Sequence, residues 1–343
     1  MSGGVDSSAA AYRMLEEGYR CEGAIMRLLP TDNGQNAREA EAVAQQLGIP
    51  FSVLDFTEAF QRDVIDKFIR VYEAGGTPNP CIDCNRCLKF SRLLEAAEAR
   101  GLFCVATGHY ARTEWEPSTG RWLLKKAQTE KDQSYFLYTL TQSQLARVRF
   151  PLGGMEKAQV RALAERLSFR NAQRRDSQDI CFVPGGDYAA FLEERRGFPY
   201  PSGDFVDPEG RVVGRHQGAV RYTLGQRKGL GLPMGVPVYV CGKRENTVLI
   251  GPESALFSRE ILVEELNWIA IPGLESPLRA QAKTRSRQRE QWAELRPEAD
   301  GRVRLVFDEP QRAMTPGQAA VFYDGDTVLG GGTIFQVCQE VKA

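Results

Sequence analysis

The chain has 343 residues, with 44 lysines and arginines against 44 aspartates and glutamates, 42% hydrophobic and 26% charged residues, which describes an ordinary soluble protein of two or three domains. Its zero net charge gives no global sign of a nucleic-acid binder, and it has neither eighteen consecutive apolar residues nor a charged-then-apolar leader; we expect no membrane association and a cytoplasmic location. Eight cysteines in such a chain are not expected to form a disulfide framework, because intracellular thiols stay reduced and a chain of this length folds without covalent staples.

The sequence opens Ser2-Gly3-Gly4-Val5-Asp6-Ser7-Ser8, a turn rich in glycine and hydroxyls that runs into a predicted helix over 7–19. Glycines let backbone approach an anion, the first N–H groups of the helix point at it, and Ser2, Ser7 and Ser8 add donors. No lysine follows as in a Walker loop, and the plainer alternative is a Ser/Asp helix cap. The turn resembles the pyrophosphate-binding loop of the PP-loop ATPases, which split ATP between the α and β phosphates and leave AMP on a carbonyl oxygen. That resemblance implies ATP and Mg²⁺. A buried strand ordinarily precedes such a loop, but Met1 stands directly before Ser2. The first strand is therefore expected to be missing, through a late start assignment or a truncation, leaving its neighbour as an unpaired edge.

A strand over 20–29, a helix over 37–47 and a strand over 50–56 alternate as βαβ, predicting an α/β fold with a doubly wound parallel sheet. A helix over 88–100 feeds a strand over 103–107 that ends in Gly108-His109-Tyr110. Ligands of such sheets sit at the carboxyl ends of strands, so Gly108, His109 and Met26 should share an edge with the phosphate loop. A hairpin is predicted around Pro117-Ser118-Thr119-Gly120 and a helix over 157–167. From 185 the texture becomes rich in glycine, arginine and aromatics, and from 236 short alternating strands recur with turns such as Pro316-Gly317 and Asp324-Gly325, fitting a small antiparallel barrel. The expected domains are an adenylation domain over 1–184, a small central domain over 185–235 and a C-terminal β-barrel over 236–343. Basic clusters at Arg170, Arg174 and Arg175, at Arg221, Arg227 and Lys228, and at Lys283, Arg285, Arg287 and Arg289 could follow the phosphates of a folded RNA or form solvated faces.

Asn79-Pro80-Cys81-Ile82-Asp83-Cys84-Asn85 places a Cys-x-x-Cys in a loop before a helix capped by Asn85, where a helix N-terminus would favour a Cys84 thiolate. Cys87 falls in an apolar stripe with Phe90, Leu94 and Ala97 and reads as a packed thiol; Cys21, Cys104, Cys241 and Cys338 lie in strand-like runs and read as small core residues. Cys181 stands in Asp176-Ser177-Gln178-Asp179-Ile180-Cys181-Phe182. One adenylating loop with two separated reactive cysteines suggests that sulfur is delivered to the activated carbonyl.

Together with the opening loop, Thr77-Pro78-Asn79-Pro80, Cys84-Asn85, Lys89-Phe90, Ala106-Thr107-Gly108-His109-Tyr110-Ala111, Lys131-Asp132-Gln133-Ser134-Tyr135-Phe136, Ile180-Cys181-Phe182, Tyr222-Thr223-Leu224-Gly225-Gln226-Arg227-Lys228-Gly229 and Thr315-Pro316-Gly317-Gln318 run nearly the length of the chain. In this order they resemble the bacterial tRNA-specific 2-thiouridylases of the MnmA/TrmU family. The resemblance implies an ATP-dependent exchange of the wobble uridine 2-oxygen for sulfur. It implies ATP binding by Ser2, Gly3, Gly4, Val5, Asp6, Ser7, Ser8, Met26 and Gly108, a nucleophilic Cys84, a persulfide-carrying Cys181 and an alternate disulfide between the two. Asn79, Pro80 and Cys81 would surround the base, and His109, Lys131, Asp132, Gln133, Arg285, Ser286 and Gln318 would touch tRNA. A cysteine desulfurase or sulfur-relay protein would supply the persulfide. Many members carry Asp at the position of Cys81 and Tyr at that of Ser286. The first difference leaves open a four-iron four-sulfur cluster on Cys81, Cys84 and Cys181, a structural zinc, or the persulfide route. Two other activities compete: a PP-loop ligase or amidotransferase adenylating a small metabolite, and a non-catalytic RNA binder with a zinc knuckle, for which no second Cys-x-x-Cys or histidine pair exists.

Overall fold

The structure is a computed structural model and describes residues 1–31, 33–174 and 180–338; Arg175 and the Asp176-Ser177-Gln178 motif lie outside the described residues. Helix α1 (Val5–Glu16) buries Val5, Ala9, Ala10 and Met14, a stripe at helical spacing, and the turn after it is closed by Gly18. Strand β1 (Gly23–Arg27), helix α2 (Gln35–Gln46) and strand β2 (Phe51–Asp55) follow as predicted, and β1 pairs with β2 in parallel from Gly23↔Phe51 to Arg27↔Asp55. A helical stretch over Thr57–Phe60, Gln61–Ile65 and Asp66–Glu73 contains a π-helical turn in its middle segment. The cysteine helix runs through Pro80–Cys84, a π-helical segment over Asn85–Arg92, and Leu93–Glu98. Proline suits its first turn, where an N–H would lack a helical partner anyway.

Strand β3 is only Val105–Ala106 and pairs in parallel with β6 (Val148–Arg149). The parallel sheet thus consists of two two-stranded pieces, β1-β2 and β3-β6, with no described strand joining them. Among the described residues β1 pairs only with β2 and β3 only with β6.

Hairpin β4 (Ala111–Glu116) and β5 (Arg121–Lys126) leaves this unit and extends the barrel sheet through Lys125↔Thr327. Next comes a helix over Tyr188–Arg196, capped by Asp187, whose carboxylate accepts from the Ala190 N–H at 2.9 Å. Strands β7 (Gly203–Val206), β8 (Val212–His216), β9 (Tyr239–Arg244) and β10 (Thr247–Gly251) form a sheet in the order β8-β7-β10-β9. The expected cut at 235/236 falls inside this sheet, because Val240, Val248 and Ile250 need Phe205, Tyr222 and Leu230 to complete their core.

Six antiparallel strands, β11 (Phe257–Trp268), β12 (Leu278–Lys283), β13 (Gln291–Pro297), β14 (Val303–Arg312), β15 (Ala319–Asp324) and β16 (Thr327–Cys338), close into a barrel. Their order is β11-β14-β13-β12-β15-β16, and β11 pairs with β16 to complete the circle. Alternation along each strand turns Ile261 and Val263, Ala280 and Ala282, Leu305 and Phe307 inward; alanines fill the narrow interior where larger residues would collide. Among the described residues no helix is long and apolar enough to cross a membrane. Phe322 is fully buried in this barrel core, so Phe322→Ala should cost about 3–5 kcal/mol of barrel stability, read as an earlier denaturant transition, with a change under ~1 kcal/mol contradicting the packing.

Candidate active site

The opening turn folds as a compact cradle. Gly4 caps α1 in extended conformation and Gly3 takes φ 72°, where a side chain would also meet the Asn36 carbonyl oxygen at 2.8 Å. The Ser2 N–H donates to Ser7 Oγ at 3.0 Å, and the Ser7 and Ser8 hydroxyls donate to the Gly4 carbonyl at 2.9 and 3.2 Å. The first N–H groups of α1, which no helical carbonyl can use, face the anion position. Asp6 is the joint of the cradle: its carboxylate accepts from the Tyr110 hydroxyl at 2.9 Å, Lys131 at 3.1 Å and Lys157 at 2.6 Å. Gly108 lies flat against it, since a Cβ there would sit 2.7 Å from the Asp6 carbonyl carbon. Met26, Gly108 and His109 do share an edge with the loop, lining one cavity of about 580 Å³ with Ser2 and Ser7.

Lys89 lines the same cavity and connects it to the thiols. Its charge acts on Cys81, Cys84 and Cys181, and Cys181 in turn feels both Cys81 and Cys84. The two cysteines 97 positions apart in sequence therefore lie near enough to feel one another's charge, and all eight thiols are free. The expectation of a helix-start thiolate at Cys84 fails. The helix begins at Pro80, not at Asn85, so Cys84 lies in its second turn and is buried. Loss of water raises the thiols of Cys81 and Cys84 above the usual range and pushes Cys181 up to about 11, while Lys89 opposes the shift in each. Cys87 packs beside Phe60, Phe68 and Leu88, a different cluster from that of Phe90, Leu94 and Ala97, and Cys21, Cys104, Cys241 and Cys338 are half-buried, not core residues. Among the described residues no three His, Cys, Asp or Glu side chains gather closely enough to hold a metal. Cys81, Cys84 and Cys181 form no such group as placed here.

The remaining predicted residues divide. Asn79 and Pro80 open the cysteine helix with Cys81 exposed beside them. Gln318 ties the barrel to that opening, donating to the Thr77 and Pro78 carbonyls at 2.9 and 3.2 Å. Asp132 accepts from the Ala127 and Ser134 N–H groups, and Gln133 Oε1 accepts from the Tyr110 N–H at 3.0 Å, so both hold the loop around Tyr110. Arg285 donates to the Ala313 carbonyl at 2.6 Å on the barrel, with Ser286 half-buried next to it. Arg174, read as a phosphate contact, binds Glu39 at 2.5 Å, Asn36 at 2.8 Å and the Gly3 carbonyl at 3.3 Å. Sequence reasoning missed Asn171, whose amide donates to the Gly3 carbonyl and Ser8 Oγ at 3.0 and 2.9 Å, and Lys157; single polar residues far along the chain carry no motif.

Three family models match in succession: a tRNA methyl transferase HUP domain over 1–185, a tRNA methyl transferase PRC-barrel domain over 189–252 and an aminomethyltransferase beta-barrel domain over 258–334. Relatives named tRNA-specific 2-thiouridylase MnmA include that of Acetivibrio thermocellus, 46% identical over 97% of both chains. Those of Heliobacterium modesticaldum and Geotalea uraniireducens are each 47% identical over 97% of this chain and 91% and 93% of theirs. The chain belongs to the MnmA family of tRNA-specific 2-thiouridylases.

In this family member His109 is held between Phe90 and Phe150, at ring distances of 5.7 and 6.1 Å, with Nδ1 2.8 Å from the Thr107 hydroxyl. Burial, and secondarily Lys89, depress its pKa well below 6.5. The unfolded chain then binds more protons than the folded one below about pH 6.5, so stability falls as pH drops through that value. His109→Gln should flatten the melting-temperature profile between pH 7 and 5; an unchanged slope would show that His109 is not buried neutral. Gly108→Ala, by pushing Asp6 and the start of α1 aside, should lower ATP-dependent pyrophosphate release about 100-fold with the fold retained by circular dichroism.

Proposed function

We propose that the chain is a tRNA-uridine 2-sulfurtransferase that adenylates the 2-oxygen of the wobble uridine with ATP and then exchanges it for sulfur, giving 2-thiouridine, AMP and pyrophosphate. The observation that supports this reading is that Cys84 and Cys181 act on each other's charge and both feel Lys89, which lines the same cavity as Ser2, Ser7 and Gly108. Membership among proteins named 2-thiouridylases supports it.

The uridine 2-oxygen attacks the α-phosphorus and pyrophosphate departs, its charge met by the N–H groups at the start of α1. Lys131 and Lys157, gathered on Asp6, stand where cations can follow the leaving group. Asp6 is the carboxylate nearest the cradle for Mg²⁺, an ion held largely by phosphate oxygens and water, which supplies charge neutralisation when bound. A persulfide on Cys181, loaded by an external persulfide donor such as a cysteine desulfurase or relay protein, attacks carbon 2. AMP leaves with the former 2-oxygen. Cys84 then attacks Cys181 Sγ, breaking the sulfur–sulfur bond: the outer sulfur stays on the base, a Cys84–Cys181 disulfide forms, and two electrons from an external dithiol reopen it. Water would compete for the adenylated carbon, so the bound tRNA base must cover the site beside the exposed Cys81 and Cys181 before sulfur is transferred. The base must leave the anticodon stack to arrive here, past Asn79, Pro80 and Cys81, and the exposed Arg285 and Arg287 on the barrel offer phosphate contacts.

Cys181→Ser should abolish 2-thiouridine formation while tRNA-dependent pyrophosphate release continues; loss of both activities would contradict the role given to Cys181. Lys89→Met should raise all three thiols further, shifting the alkaline rise of the thiolation rate to higher pH, measured by single-turnover thiolation between pH 7 and 9.5. Pyrophosphate release driven by a small metabolite without tRNA would favour a ligase instead.

A further inference from the structure

The transfer sequence uses two thiols, Cys84 and Cys181, and leaves a third at the same site without a chemical role. Cys81 and Cys84 stand three residues apart in the helical segment Pro80–Cys84, and that spacing puts two side chains on one face, about 5–6 Å apart at Cβ. Cys181 feels the charge of both. The three differ in access. Pro80, Ile82, Asp83, Cys84 and Asn85 are buried, so Cys81 is the one residue in the range 80–85 that is open to the outside; Cys181 is exposed as well.

Sulfur transfer leaves Cys84 joined to Cys181, and Cys181 cannot take a new persulfide until that bond opens. Its Cys84 end is buried, which keeps a protein reductant away. Its Cys181 end is exposed, but an external thiol attacking there would leave a mixed disulfide on the atom that has to be reloaded. Cys81 is a nucleophile already in place on the helix face of Cys84. Disulfide geometry asks for a Cβ separation of about 3.5–4.5 Å, so Cys81 has about 1–2 Å to cover. The first helical turn permits this, because the N–H of Cys81, the second residue of the helix, precedes the first carbonyl that a helical N–H can use.

We propose that Cys81 is a resolving thiol, which takes Cys84 over from Cys181 after each transfer and so returns Cys181 for reloading. The proposal rests on the sulfur-transfer reading above. Cys81 loses its proton and its Sγ attacks Cys84 Sγ; the Cys81–Cys84 bond forms as the Cys84–Cys181 bond breaks, and Cys181 Sγ leaves with the electron pair and is protonated. One disulfide replaces another, so the exchange needs neither oxidant nor reductant. The external dithiol then delivers its two electrons at the exposed Cys81. Lys89, whose charge acts on all three sulfurs, favours the thiolate at both the attacking and the leaving atom.

The full chain and its Cys81→Ser and Cys181→Ser variants test this. Each is loaded anaerobically by one equivalent of persulfide-carrying cysteine desulfurase, given ATP and tRNA without a dithiol, and mapped by alkylation and peptide mass spectrometry. Once 2-thiouridine has formed, the unmodified chain should hold a Cys81–Cys84 disulfide with Cys181 free to alkylate, and Cys81→Ser should hold Cys84–Cys181. A second equivalent of donor should then load Cys181 about tenfold more in the unmodified chain than in Cys81→Ser. A final Cys84–Cys181 disulfide in the unmodified chain, with Cys81 alkylated, would overturn the proposal and leave the transfer reading intact; this map decides the matter even where Cys81→Ser is inactive. Absence of 2-thiouridine from the unmodified chain would remove the transfer reading and the proposal with it. Cys181→Ser, which cannot start the exchange, should form no Cys81–Cys84 bond; its appearance there would assign that bond to stray oxidation and overturn the proposal.

Discussion

The Asp6 carboxylate is the point on which the site's geometry depends. It receives a hydroxyl from Tyr110, at the end of the β3 segment, an ammonium from Lys131 in the loop after the hairpin, and another from Lys157 at the start of the helix over 157–166. Three pieces of chain, each more than a hundred residues from Asp6 in sequence, are thereby referred to the first turn of one helix. A carboxylate with charge-assisted bonds from two lysines is stronger and more directional than neutral contacts would be. Lys131 also lies over the Tyr110 ring, its Nζ 4.7 Å from the centroid, so removal of either group loosens the other.

The thiols present a problem of acidity that helix position does not solve. Burial raises every one of them, and among the groups acting on all three only Lys89 works in the opposite direction. Residues five apart point away from each other on an α-helix, whereas a π-helical turn closes at i→i+5 and brings them together. The π-helical segment over Asn85–Arg92 begins one residue after Cys84 and contains Lys89, so local helix geometry is what lets one cation serve both the helix cysteines and the cavity.

Much of this was legible beforehand because it is written locally. The βαβ alternation, the Gly-rich turn, the hairpin around Pro117-Ser118-Thr119-Gly120 and the closely spaced turns of the barrel each follow from neighbouring residues and were found where expected. The errors share a physical cause, which is that tertiary partners decide the outcome. Asn85 has the composition of a cap, yet its amide donates to the Phe136 carbonyl at 2.9 Å, a bond available only after folding. Arg174 reads as a phosphate ligand until Glu39 is beside it, and the strands over 239–251 read as barrel until Phe205 offers them a core.

The phosphate loop is held by several independent contacts to its backbone. The Gly3 carbonyl accepts from both Asn171 and Arg174, Ser8 accepts from the same Asn171, and Val5 is buried against Val43, Ala164 and Phe169. These contacts come from α2, from the helix over 157–166 and from the segment after it. Each bond of this kind contributes on the order of 1 kcal/mol, which offsets part of the cost of about 1–2 kcal/mol per fixed residue, and burial of Val5 adds to it. The cradle is therefore set by helices and their connections, and the sheet beneath it determines chiefly how firmly β1 and β3 keep Met26 and Gly108 at the correct separation.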